Sequence, residues 1–66
     1  SITAAVNAGL AKDPDLSAIK IDVDTSAGKV TLSGPAPSEA AKSRAEEIAK
    51  GVSGVSSVDN RLEVKM

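Results

Sequence analysis

No phenylalanine, tyrosine or tryptophan occurs in this 66-residue chain, and no cysteine or histidine. Each absence removes a class of chemistry. Without aromatic rings the core must be built from Val, Leu, Ile and Ala, which supply less apolar area per residue and favour a flat two-layer packing over a domain with a large cavity. Without cysteine there is no disulfide staple and no thiolate metal site, a fact that leaves the redox compartment open. Without histidine, any acid–base or metal site would rest on carboxylates or lysines alone. No apolar run approaches the roughly 18 residues of a membrane-spanning helix, and no charged-then-apolar leader opens the chain. Starting at Ser1 inside a helical pattern, it reads as a mature protein or an excised domain, a single unit over residues 1–66.

Charge of one sign is also lacking: eight basic and nine acidic residues give a net charge of -1, scattered without blocks. That balance carries neither a nucleic-acid footprint nor a polybasic membrane patch. A chain this small buries only about 60% of the surface that its unfolded form exposes, so its stability margin is thin.

What is present is periodicity. The organising stretch is Lys29–Ser38, where Val30 and Leu32 alternate with Lys29, Thr31 and Ser33 and the alternation stops at Gly34 and Pro35, the expected end of a strand. Ser38 then caps a helix over about 39–50, with Ala41, Ala45, Ile48, Ala49 and Val52 inward and Lys42, Ser43, Glu46, Glu47 and Lys50 outward. Glu46 and Lys50 have the favourable i,i+4 order, and Gly51 and Gly54 are candidate C-cap and re-entry positions.

Upstream, Ile2, Val6 and Leu10 recur every fourth residue with Ala5 beside them, predicting a first helix that Ser1 can cap. Gly9 weakens this helix and permits close backbone approach. Asp13-Pro14 stops it near Lys12, leaving Leu16 to tuck back against the core. Ile19, Ile21 and Val23 alternate with Lys20, Asp22 and Asp24 as a strand, joined to the Lys29 strand by a hairpin of three to four loop residues around Thr25–Gly28. Lys20 and Lys29 are expected near Asp22 or Asp24 across that ladder. From Ser56 onward Val58, Asn60, Leu62, Val64 and Met66 face one side of a long third strand. Asn60 or Asp59 marks a bulge or an end of pairing.

The order helix, strand, strand, helix, strand predicts an α+β fold: a two-layer αββαβ sandwich, with a three-stranded mixed sheet and both helices on one face. The helix joining the second and third strands predicts a parallel, right-handed crossover. Whether the third strand lies beside the first or the second stays open.

Chemistry-bearing patterns are weak. Gly34, Gly51 and Gly54 lack the spacing of a phosphate-cradling loop and read as turn glycines. Asp13, Asp15, Asp22 and Asp24 do not supply the oxygen spacing of a calcium loop, and no cleft is available for a paired-carboxylate hydrolase. The serines have no histidine to activate them. The chain reads as a non-enzyme with no cofactor and no metal. Surface contact is expected at Ala4 and Ala8, where the first helix offers a flat, weakly polar face, and at the cations Lys12, Lys42 and Arg44. Each cation has acidic company, which works against an anionic surface.

Taken together, Ile2-Thr-Ala-Ala-Val6, Asp15-Leu16, Ile19-Lys-Ile-Asp-Val23, Val30-Thr-Leu-Ser-Gly34, Glu39-Ala40, Arg44-Ala-Glu-Glu-Ile-Ala49, Gly54-Val55, Ser57-Val58 and Asn60-Arg-Leu62 resemble the BON domain over nearly the whole chain. The most specific feature is Leu-Ser-Gly followed by Gly-Val-x-x-Val. The resemblance implies the same αββαβ fold, no catalysis, and scaffold roles for Val30, Leu32, Gly34, Gly54, Val55 and Val58. It also implies a periplasmic module that associates with phospholipid membrane surfaces, under osmotic or envelope stress. The partners it suggests are an anionic phospholipid surface, a second BON domain or an envelope protein. Lipid-binding members can present aromatic and basic side chains on a helix, and here the aromatic part is missing. The alternative is a protein-interaction or structural adaptor domain within a larger protein.

Overall fold

The computed structural model describes residues 1–14, 16–17 and 20–64. Helix α1 spans Ile2–Lys12, started by Ser1, whose hydroxyl accepts the Ala4 N–H at 3.2 Å. It ends because Asp13, preceding Pro14, is held in extended backbone (φ -89°, ψ 119°). Val6 and Leu10 are buried and Ile2 is half-buried, and Leu16 returns to the core after the break. Ala5 is exposed, contrary to the expected stripe: each helical residue turns about 100°, which carries Ala5 off the face that Val6 and Leu10 share.

Strand β1 covers Asp22–Ser26 and strand β2 covers Lys29–Ala36, followed by helix α2 (Glu39–Lys50) and strand β3 (Ser57–Val64). The sheet order is β1-β2-β3, with β1 antiparallel and β3 parallel to the central β2. The strand order left open by pattern is thereby fixed: β3 lies beside β2. α1 packs over β1 and α2 over β2 and β3, with the helices touching. The core beneath them is built from Val6, Leu10, Leu16, Val30, Leu32 and Leu62 with the buried alanines of α2.

Four expectations need correction. The hairpin loop is two residues, because Thr25 and Ser26 pair with Val30 and Lys29, leaving Ala27 (φ 50°) and Gly28 (φ 81°) as a turn with both central residues at positive φ. β1 correspondingly starts at Asp22, later than expected; Ile19 lies outside the described residues.

β2 does not end at Gly34 but continues to Ala36, with Gly34 opposite Leu62 and Ala36 opposite Val64. Pro35 is tolerated because β1 has already stopped at the Asp22–Ser33 pair, so its missing N–H removes no bond from that ladder. Gly34 is required there: at φ 124° it has little room for a side chain, and a Cβ would sit 2.5 Å from the Lys20 carbonyl oxygen.

Lys29 faces Ser26, and Asp24 faces Thr31, so the expected Lys–Asp cross-strand neighbours do not form opposite pairs. Finally, β3 pairs with β2 in unbroken register from Ser57 to Val64, so neither Asp59 nor Asn60 marks a bulge. The Met66 position lies outside the described residues.

Candidate functional site

The exposed surface divides into three faces with different charge. The outer face of α1 carries Ala4, Ala8 and Ala11, with Lys12 in its last turn, and no Asp or Glu occurs anywhere in Ile2–Lys12. On α2 the charges are mixed: Glu39, Glu46 and Glu47 stand among Lys42, Arg44 and Lys50. The sheet's open face is mixed too, with Asp22, Asp24, Asp59 and Glu63 against Lys29 and Arg61.

The expected contact residues do not converge. Ala4, Ala8 and Lys12 are exposed on α1. Arg44 is engaged elsewhere: its Nε donates to Asp13 Oδ2 at 2.5 Å, and the Asp13 side chain is only 4% exposed against 61% for Arg44. This ion pair ties the end of α1 to α2, and a buried carboxylate of this kind needs a partner to be tolerated. Lys42 lies two residues from Arg44 on α2, about 160° away around the helix, on the flank that faces β3. There the Asn60 amide donates to the Lys42 carbonyl at 2.9 Å, while Asn60 Oδ1 accepts the Leu62 N–H at 3.2 Å. α2 therefore places Lys42 and Arg44 on opposite flanks.

The same flank holds Glu46. Its carboxyl is held below the ordinary value first by the hydrogen bond from Lys50, at 3.0 Å, then by one from Asn60, with the charges of Lys50 and Lys42 adding to this and partial burial opposing it. Asn60 was legible only as a break in an apolar face; its role depends on α2 lying over β3.

The expected scaffold residues sit as follows. Val30 and Leu32 are fully buried at the centre of the sheet, and Val58 is half-buried opposite Val30. Gly54 and the half-buried Val55 lie in the α2–β3 loop, where a Cβ on Gly54 would meet Ile2 Cδ1 at 3.2 Å. A shallow hollow at the start of α2 is lined by Pro37, Ser38, Ala40, Ala41 and Arg44, with the Ser38 hydroxyl already accepting the Ala41 N–H. Among the described residues no cluster of three carboxylates could hold a metal ion, and no helix is long and apolar enough to cross a membrane.

Comparison with known proteins adds two findings. The BON domain profile matches residues 1–66. Over 65 residues the chain is 42% identical to the "Osmotically-inducible protein Y" of Escherichia coli (strain K12), an alignment covering 98% of this chain and 32% of that protein. The chain thus spans about a third of the length of the curated relative it matches.

Proposed function

The chain belongs to the BON domain family, and from that premise we propose that it is a periplasmic module that attaches to anionic phospholipid surfaces through the outer face of α1. BON domains are non-catalytic and envelope-associated. The observation that carries the choice of face is the partition of charge: α1 contains no acidic residue, whereas α2 and the open sheet face each set acids among their cations. An anionic surface repels those two faces in part and α1 not at all.

Alanine side chains bury little area, and one Lys near an anionic membrane contributes about 1 kcal/mol, so a single module attaches weakly. Affinity then grows through additional linked modules acting together. Similarity to a protein named for osmotic induction supports a role under osmotic or envelope stress.

Co-sedimentation with lipid vesicles tests the reading. Vesicles containing anionic lipid are expected to pull down the chain at low salt, where the Debye length is about 30 Å at 0.01 M, and to release it as salt rises. Lys12→Glu reverses the one charge on α1 and is expected to weaken binding roughly ten- to thirtyfold. Absence of binding at low salt, or binding that Lys12→Glu leaves unchanged, would overturn it.

A further inference from the structure

β3 is a sheet edge eight residues long, from Ser57 to Val64, with no bulge and no proline to blunt it. Along a strand, successive residues direct their backbone groups to opposite edges. The Leu62 N–H is bonded by Asn60 Oδ1 from its own strand, so Leu62 and its alternate neighbours Val58, Asn60 and Val64 are the residues whose backbone groups face away from β2. A second strand can add to such a row.

The side chains around this edge are self-complementary. On the open sheet face Asp59 and Arg61 stand on either side of Asn60 and pair with each other in the single chain, Arg61 Nε donating to Asp59 Oδ2 at 2.8 Å, so a second copy offers each the same partner by exchange. On the helical layer Lys42 and Glu46 stand one turn apart on the flank of α2 that Asn60 touches. In both layers an acid and a base are therefore arranged symmetrically about Asn60.

We propose that two copies of this chain join through β3 in antiparallel register about a two-fold axis at Asn60, merging their two three-stranded sheets into one continuous sheet. In this register Asp59 faces Arg61 of the second copy, and Val58 exchanges both backbone hydrogen bonds with its Leu62. The same axis brings Lys42 of one α2 opposite Glu46 of the other. Opposite charges thus meet on both layers, whereas a parallel docking would set each charge against its own kind. The contact is isologous, and closes with two copies.

Asn60 also sets the threshold for this contact. The second copy's Val58 carbonyl must take the Leu62 N–H that Asn60 Oδ1 holds in the single chain. A small edge contact that displaces an internal hydrogen bond gives a weak, concentration-dependent dimer.

Sedimentation equilibrium on the full chain tests this across a concentration series reaching roughly 1 mM, where contacts of about -4 kcal/mol are half formed. The wild type is expected to move from its 6.6 kDa monomer toward twice that mass. Arg61→Glu sets acids against Asp59 across the axis and Asp59→Arg sets bases against Arg61, so each variant alone is expected to stay monomeric. An equimolar mixture of the two is expected to recover the dimer. Asn60→Ala, which frees the Leu62 N–H, is expected to tighten association about two- to tenfold. Circular dichroism confirms that each variant is folded, since both charged positions are on the open face. A wild type that remains monomeric, single inversions that associate as the wild type does, a mixture that fails to associate, or an Asn60→Ala chain that associates no more tightly would each overturn the proposal.

Discussion

Helix α2 buries its alanines, Ala41, Ala45 and Ala49, whereas helix α1 turns Ala4, Ala5, Ala8 and Ala11 to solvent and buries Val6 and Leu10. The same residue type does opposite work. Under α2 the small side chains let the helix lie close to β2 and β3, and its outer surface is given to charges that partly neutralise one another. α1 reaches the core through larger side chains and leaves an outer surface that contributes nothing to packing. A helix face that folding does not use is one that function is free to use. The crossing between the two is close as well: a Cβ on Gly9 would lie 2.7 Å from Ile48 Cγ2.

The contrast can be broken most severely from the inner side of α1. Leu10→Ala removes a buried side chain that α1 relies on and is expected to cost about 2–5 kcal/mol, a large share of what a domain of this size commands, read from the urea midpoint. The matching change under α2 is an enlargement. Ala45→Leu forces extra methylene groups between α2 and the sheet, and a loss of about 1–3 kcal/mol is expected in the same titration. On the outer face of α1 the identical substitution, Ala8→Leu, is expected to shift stability by no more than about 0.5 kcal/mol while increasing vesicle binding. If Ala8→Leu were as damaging as Ala45→Leu, the two helices would not differ as described.

The gentlest probe concerns the charges of α2. Because Glu46 has a lowered pKa in the folded chain, its contribution is present above the ordinary carboxyl range and is lost as pH falls through the lowered value. Glu46→Gln is expected to remove that part of the acid dependence and to leave stability near neutral pH slightly reduced, as followed by thermal melts between pH 2 and 7.

Local rules made much of this legible. Ser1, Ser38 and Asp13-Pro14 bound their helices through the backbone beside them, and the four-residue spacing of Ile2, Val6 and Leu10 identified the face that packs. What escaped depends on neighbours distant in sequence. Gly34 and Pro35 look like strand terminators until β3 supplies a parallel partner on one side and β1 stops on the other. The Arg44–Asp13 pair spans 31 residues and could not be read from either position alone. Asn60 was an anomaly in an apolar row because the carbonyl it bonds belongs to α2, eighteen residues earlier. The α1 face was visible as a run of alanines, but its isolation from acidic residues became a surface property only once the sheet and α2 had taken the other charges elsewhere.

The tip of the hairpin has one more role. Ser56 donates both its backbone N–H, at 2.8 Å, and its hydroxyl, at 3.2 Å, to the carbonyl of Gly28. A hairpin aligns its own strands through its turn, but a parallel pair such as β2 and β3 has no turn between them to do so. The Gly28 carbonyl serves as the zero mark of that alignment: it fixes Ser57 opposite Lys29, and each later pair follows by counting. A slip of one place would send Leu62 to water and Arg61 to the core. Since the mark joins positions 28 residues apart, the alignment of β3 rests on a long-range contact with the hairpin tip rather than on any turn beside it in sequence.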